Sequence, residues 1–171
     1  MRDSTRLSAL EQNPLWDFAV DFYARSGVSS RLLRLQDDAG LDVCVLLWRL
    51  WLKRHGLAPT ELAEHQLDDV LAWQRDYTVP LRCRRRRLKP AAPQDAALAQ
   101  LRRTLKEAEL QAEKIALQRL EALSWQAGGV TRIDADEPAH SVLAGGRANG
   151  LPAWQQRSLA ELVARSESML R

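Results

Sequence analysis

The sequence predicts an all-α protein. Apolar residues recur at helical spacing along most of the 171 residues, and no stretch alternates in the manner of a β-strand. Pro or a capping residue opens several of these apolar segments, and Gly closes several of them. The composition, 46% apolar and 27% charged, is typical of a globular protein with a core. We therefore expect a compact multi-helix domain of about six helices, one of them long.

The N-terminal third contains the segment that we expect at the centre of the fold. Residues 1–12 are predicted to be a flexible polar leader. Asn13-Pro14 then opens a helix that Gly27 ends, and a second helix closes at Gly40. The third helix runs from about Leu41 to His55. Because it is apolar on nearly every side, we expect it to be the central helix.

Two prolines and one long uninterrupted segment organise the middle of the chain. Pro59-Thr60 opens a fourth helix, which is predicted to break near Gln66, and Val79-Pro80 separates it from a further helix over about 80–89. A long helix without Gly or Pro follows, from about Gln94 to Ala127. Its apolar stripe repeats every ~3.6 residues, which is typical of a straight helix packed on a domain. At roughly 50 Å it exceeds a small domain, so one end is expected to project or to pair with a second subunit.

The C-terminal part changes in character. Residues 128–151 carry five glycines and little periodicity, which predicts a Gly-rich loop, and Pro152 opens a C-terminal helix. The predicted organisation is therefore a leader over 1–12, a helical domain over 13–127, a loop over 128–151 and a helix over 152–171.

The cysteines and the hydropathy predict a cytoplasmic protein. Cys44 and Cys83 form no metal or redox motif, so we interpret both as free thiols in a reducing compartment. The N-terminus has no apolar signal region. The longest apolar run, Val43 to Leu52, contains Arg49 and is much shorter than the ~20 residues that span a bilayer. No membrane contact is expected.

The net charge of +3 is concentrated in one window. Residues 75–90 hold seven basic residues and one acidic residue, whereas residues 1–74 are acidic overall. Six of these basic residues fall within eight positions and are the candidate contacts for an anion or a nucleic acid: Arg82, Arg84, Arg85, Arg86, Arg87 and Lys89.

Three interpretations of this arginine cluster stay open. The guanidinium group is a planar bidentate donor for phosphate, so the cluster is a candidate site for RNA, DNA or another phosphate ligand. Alternatively, it pairs with the acidic N-terminal region, or it is a solvated face enriched by the codon usage that also makes Arg outnumber Lys by 21 to 4. The aromatic residues just before the cluster, Trp73 and Tyr77, fit a core stripe better than a stacking surface. The candidate acidic partners are Asp37, Asp38, Asp42, Asp68 and Asp69.

The sequence offers little for catalysis. Its histidines, His55, His65 and His140, are scattered, and the adjacent pair His140-Ser141 lacks an identifiable orienting group. His and Cys show no metal-ligand spacing, so no catalytic residue, metal site or cofactor is predicted.

Two acidic or Gly-rich stretches also fail to match known ligand motifs. Asp134, Asp136 and Glu137 resemble the start of a calcium loop, but Pro138 and Gly145 occupy positions where that loop needs ligands. The stretch 145–150 lacks the Gly-Lys-Ser/Thr ending of a phosphate loop. An enzyme is therefore the least supported class. We expect a non-enzymatic binding or adaptor protein with a protein partner or self-association, and nucleic-acid binding is the alternative.

Three stretches in the first third carry a family resemblance: Leu15-Trp16-Asp17-Phe18-Ala19, Tyr23-Ala24-Arg25-Ser26-Gly27-Val28, and Leu35-Gln36-Asp37-Asp38-Ala39-Gly40-Leu41-Asp42-Val43. Together with Pro80-Leu81-Arg82 and the arginine cluster, they resemble a family of uncharacterised bacterial proteins known only as a domain of unknown function. The resemblance covers about residues 13–125. It implies a small helical cytoplasmic protein and carries no activity, substrate or functional residue.

Overall fold

Helices form nearly all the regular structure of the computed structural model, which describes residues 2–134, 137–144 and 150–170. The all-α prediction is confirmed, with a single pair of three-residue strands, Leu57–Pro59 (β1) and Val130–Arg132 (β2), in the described part of the chain. These strands pair antiparallel, with Leu57 opposite Arg132 and Pro59 opposite Val130. The helices are α1 (Arg2–Glu11), α2 (Leu15–Tyr23), α3 (Val28–Ala39), α4 (Val43–Arg54), α5 (Glu61–His65), α6 (Leu67–Trp73), α7 (Val79–Arg87), α8 (Ala96–Trp125), α9 (Ala139–Ala144) and α10 (Ala153–Glu167).

Helix α4 is the centre of the core, as the sequence predicts. The Asp42 carboxylate caps its first turn by accepting a hydrogen bond from the Val45 backbone N–H at 3.0 Å. The helix is buried from Cys44 to Lys53, and helices α2, α3, α8, α9 and α10 pack around it. Burial of so many apolar side chains in one helix stabilises the fold.

Three large side chains of α4 donate hydrogen bonds to other elements around the core. Trp48 Nε1 donates to Ser124 Oγ at 2.8 Å, and Trp51 Nε1 donates to the Asn13 carbonyl at 2.7 Å. Arg49 donates to the Leu143 carbonyl at 2.8 Å and to a carboxylate of α5. These bonds connect α4 to α8, to the start of α2 and to α9, so they fix how the helices are arranged around it.

The N-terminal segment forms a helix that the sequence did not predict. Within α1, Leu10 is fully buried in the core, and Arg6 Nη1 donates to the carbonyls of His55 at 2.8 Å and Gly56 at 3.0 Å. These contacts reach about fifty positions along the chain, so no local pattern shows them. The division of the chain into four segments stays a prediction.

The chain remains helical through Pro80, where the sequence predicted a stop and a new start. A π-helical turn, Gln74–Thr78, joins α6 to α7 directly. Pro80 lies in the first turn of α7, where the absence of a backbone N–H costs least. The preceding π-helical turn, in which each N–H bonds one residue further back than in an α-helix, accommodates the missing donor. The predicted break near Gln66 is confirmed, since α5 and α6 meet there.

The long helix is buried along only half of its length. Asp95 caps α8 by accepting from the backbone N–H groups of Ala97 and Leu98. The predicted apolar stripe is buried from Ala112 to Leu123, but Leu101 is 48% exposed. The N-terminal half of α8 contacts α7 and the turn before α8. The expectation that one end projects or pairs with a second subunit stays a prediction.

The C-terminal elements complete the core. Leu143 of α9 and Leu159 and Leu162 of α10 are fully buried against the central helices. Residues 145–149, which hold most of the rejected phosphate-loop stretch, and Asp136 of the rejected calcium loop lie outside the described residues. None of the helices that the structure describes is both long enough and apolar enough to cross a membrane.

Candidate anion-binding surface on a basic helical hairpin

Residues 79–110 form an antiparallel helical hairpin, which we call the basic hairpin. It consists of α7, a short 3₁₀ turn at Ala92–Gln94 and the N-terminal half of α8. No residue of α7 is buried. The hairpin therefore presents most of its side chains to solvent, including the predicted arginine cluster.

Two arginines of the cluster point into the hairpin. Arg82 Nε donates to Glu109 Oε1 at 2.9 Å, and Arg82 Nη2 donates to Glu113 Oε1 at 2.8 Å. Arg85 Nε donates to the other oxygen of Glu109, and Arg85 Nη2 lies 3.2 Å from Oε1. Glu109 is only 6% exposed, so it acts as a buried carboxylate shared by two guanidinium groups.

The pKa of the two glutamates follows from this geometry. Burial alone raises the pKa of Glu109, but the hydrogen bonds from Arg85 and Arg82 outweigh it and hold that pKa below its ordinary value. Burial raises the pKa of Glu113, and its bond with Arg82 offsets this only in part. The charge of the inner arginines is thus compensated within the hairpin mainly by Glu109.

A third arginine of the cluster pairs with another helix. Arg86 contacts the Asp37 carboxylate of α3 at 3.3 Å, and both side chains are exposed. The prediction of acidic N-terminal partners is therefore confirmed for Asp37. Of the other predicted partners, Asp38 pairs with Arg34, and Asp42 caps α4 and accepts a hydrogen bond from the Gln74 side chain.

Three members of the cluster point outward. Arg84, Arg87 and Lys89 are exposed, and none of them has a hydrogen bond or an ion pair within the described part of the chain. Arg84 and Arg87 each follow an inward-facing arginine by two residues, a rotation of about 200° around the helix. The cluster therefore has an internally neutralised face and an opposite face whose charge is not neutralised.

The facing helix adds basic residues that the sequence analysis did not single out. Arg103 and Lys106 of α8 are exposed, and Arg102 is half-buried. Between Arg82 and Lys106 the sequence holds nine basic residues and one acidic residue, Asp95. The basic residues of α8 did not stand out in the sequence, because residues 91–171 as a whole hold equal numbers of basic and acidic residues.

An aromatic pair lies just before the hairpin, at the end of α6 and in the π-helical turn that leads into α7. The rings of Trp73 and Tyr77 stack with centroids 4.2 Å apart, and Trp73 Nε1 donates to the Ala112 carbonyl at 3.0 Å. Arg119 lies over the Trp73 ring at 4.3 Å. Tyr77 is 53% exposed, so the expectation that Tyr77 belongs to the core was wrong. Trp73 is partly buried and packs against the core.

The residues considered for catalysis stay apart. His55 lies at the end of α4, where burial and then Arg54 lower its pKa to about 4. Ser141 lies within 2.8 Å of both Glu137 Oε1 and the Pro138 carbonyl at the start of α9, so its hydroxyl helps to begin that helix. Across residues 2–134, 137–144 and 150–170, no three potential ligand side chains gather in a metal-binding arrangement.

Comparison with known families shows to which family the chain belongs. The model of a family described as "Protein of unknown function (DUF2390)" matches residues 14–120, which is more than half of the sequence. The protein belongs to the DUF2390 family. No curated protein and no solved structure matches the chain. The match includes α7 and the N-terminal half of α8, so the basic hairpin lies inside the DUF2390 region, and the description of the family assigns it no function.

Proposed function

We propose that this protein is a non-enzymatic binding protein whose basic hairpin contacts the phosphate backbone of a nucleic acid. The observation that carries the proposal is the division of the arginine cluster into two faces. Arg82 and Arg85 are neutralised by buried Glu109, whereas Arg84 and Arg87 project from the opposite face and pair with none of the residues that the structure describes. Because the internal acid is already shared, the outer face stays available to an external anion.

The arrangement suits a polyanion better than a single small anion. Exposed basic groups lie on both arms of the hairpin, Arg84, Arg87 and Lys89 on one arm and Arg103 and Lys106 on the other. If all five contact phosphate, the logarithm of affinity falls with the logarithm of salt concentration with a slope of about −3.5 for a single strand. Arginine and lysine at exposed positions give this type of contact without base specificity.

Exposed Tyr77 favours single-stranded over double-stranded nucleic acid. Its ring already stacks on Trp73, and half of its surface is open to solvent. Arg84 follows Tyr77 by seven residues, which places the two on nearly the same side of a continuous helix, about 10 Å apart. A stacking ring beside a basic surface is the arrangement by which proteins bind single strands.

Fluorescence anisotropy with a labelled single-stranded RNA and a matched duplex tests this function. We expect Arg87→Glu to weaken binding at low salt, and the pair Arg84→Glu with Arg87→Glu to reduce the salt slope for the single strand by about 1.4. Tyr77→Ala should weaken binding of the single strand by ~1 kcal/mol or more and leave duplex binding nearly unchanged. The matched control is Arg157→Glu, an exposed arginine of α10 with the same change in charge. Equal binding by the Arg157 and Arg87 variants would contradict the proposal.

Self-association through α8 is a second candidate. Leu101 and Leu110 of α8 are 48% and 50% exposed on opposite sides of the helix, and each offers apolar surface to a second copy of the chain. A dimer would show a mass near twice 19.4 kDa by light scattering. The double variant Leu101→Glu with Leu110→Glu should then be monomeric, and a wild-type monomer over a wide concentration range would exclude this candidate.

A cytoplasmic location fits both candidates. Cys44 and Cys83 are free thiols, as is typical of proteins in a reducing compartment. Nucleic acid is also abundant in that compartment.

A further inference from the structure

Arg86 of the basic hairpin pairs with an acid in a way that leaves the pair open to exchange. Its Nη1 and Nη2 both donate to Asp37 Oδ1 at 3.3 Å, and Nη2 also lies 3.3 Å from Oδ2. The side chains of Arg86 and Asp37 are 45% and 47% exposed. Because these bonds are longer than the usual hydrogen-bond range and are open to water, the pair is weak and either partner can exchange.

The inner arginines of the hairpin do not have this freedom. Arg82 and Arg85 both bond to buried Glu109, and Arg82 also bonds to Glu113. A ligand that took either arginine away would leave a buried carboxylate uncompensated, which costs several-fold more than the loss of an exposed pair. Three arginines of the cluster pair with an acid in the described part of the chain, and of these Arg86 alone can change its partner without that cost.

Asp37 competes for the Arg86 guanidinium group at neutral pH. It lies in the last turn of α3, where the helix dipole disfavours a carboxylate, so the backbone of its own helix does not hold it in place. A hydrogen bond from the Gln36 side chain is the main cause that keeps the pKa of Asp37 below its ordinary value, and Arg86 adds to this effect. The carboxylate is therefore charged at the pH at which nucleic acid would bind.

Arg86 lies at the edge of the outer basic face. It directly precedes Arg87, and the two side chains leave α7 about 100° apart around the helix axis. A carboxylate presents two oxygens to a guanidinium group in the same planar arrangement as two oxygens of a phosphate. Asp37 therefore occupies a position at which a phosphate group can bind Arg86.

We propose that a backbone phosphate of the nucleic acid displaces Asp37 from Arg86. Arg86 is then a further phosphate contact, and Asp37 is the residue that limits the affinity of the basic hairpin. This inference rests on the proposed function, because it concerns the regulation of the same surface. In the free protein Asp37 neutralises Arg86, and in the complex the phosphate takes its place while the carboxylate turns to water.

A double-mutant cycle of the full chain, measured with the labelled single-stranded RNA at low salt, tests this inference. We expect Asp37→Asn to bind about two- to fivefold more tightly than the wild type, which is the range of an exposed ion pair. In the Arg86→Gln background, Asp37→Asn should give only the general effect of one lost negative charge. Asp38→Asn measures that effect, because Asp38 lies in the same turn and pairs with Arg34, outside the hairpin.

The outcomes separate this inference from the function on which it rests. A wild-type protein that does not bind the RNA would overturn both. If the wild type binds, this inference alone is overturned when Asp37→Asn binds no more tightly than Asp38→Asn, or when Asp37→Asn gives the same gain in the Arg86→Gln background. Weaker binding by Asp37→Asn than by the wild type would also overturn it, because that is the result expected if the pair only holds α7 against α3.

Discussion

The carboxylate of Glu109 is the most informative single group to change. It is 6% exposed and bonds to both Arg82 and Arg85, whose side chains are 15% and 20% exposed. In the variant Glu109→Gln, the side chain keeps its shape but loses its charge. Of the two half-buried guanidinium groups, Arg82 then keeps its contact with Glu113, and Arg85 loses its carboxylate partner.

The expected loss of stability is large for one isosteric change. Breaking a buried ion pair by removing one partner costs 3–5 kcal/mol, because the remaining charge is left uncompensated. Arg82 and Arg85 keep some access to water, so we expect the lower end, about 3 kcal/mol. For a chain of this length, that corresponds to a fall in Tm of roughly 6–12 °C.

The measurement is thermal and urea unfolding of the wild type, Glu109→Gln and the control Glu107→Gln as a function of pH. Because the folded-state pKa of Glu109 lies below its ordinary value, its contribution is fully present above about pH 4.5 and is lost as the pH falls through the folded pKa. The difference between wild type and Glu109→Gln should therefore shrink in acid. Glu107 is exposed on the same helix, so its variant should stay within ~0.5 kcal/mol of the wild type.

Two results would refute this reasoning. One is a Glu109→Gln variant as stable as Glu107→Gln at neutral pH, which would mean that the ion pairs of Glu109 do not stabilise the inner face of the hairpin. The other is a stability difference that does not change between pH 7 and pH 3, which would assign the loss to packing rather than to charge.

Three further predictions follow from buried groups elsewhere. Ser124→Val should cost about 1–3 kcal/mol in urea unfolding, because Trp48 Nε1 loses its acceptor in the core. With a thiol reagent under native conditions, exposed Cys83 should react quickly, whereas buried Cys44, whose pKa is raised by burial, should react only on unfolding. Since the folded-state pKa of His55 is about 4, below its ordinary value of 6.5, this group should reduce stability as the pH falls from 6.5 to 4. Its variant His55→Asn should show a weaker loss over that range, and an identical pH profile would contradict the assignment.

Local sequence signals predicted much of the helical organisation. The apolar circumference of α4 identified the central helix over about Leu41 to His55, whereas the cap at Asp42 was not predicted. The limits of α8 were predicted within two residues. The continuous helix through Pro80 was not predicted, because a π-helical turn is recognised by its hydrogen bonds rather than by residue type.

The candidate site was predicted as a list of residues and not as a surface. All six basic residues at positions 82–89 were identified, but the sequence could not divide them into the inner pair with Glu109 and the outer group with Arg84 and Arg87. That division depends on a partner at least 24 positions away along the chain. Tyr77 was assigned to the core for the same reason, since its exposure depends on which elements pack beside it.

The sequence by itself determined three properties: the helical fold class, the position of the most apolar helix, and the concentration of positive charge near residue 85. Each of these follows from local spacing and composition. Only the tertiary structure decided which arginines are neutralised. Burial of Glu109 between α7 and α8 compensates Arg82 and Arg85 and leaves the opposite face of the same helix charged. The physical reason is that neutralisation depends on distances of about 3 Å, and only the folded chain brings groups from distant positions that close.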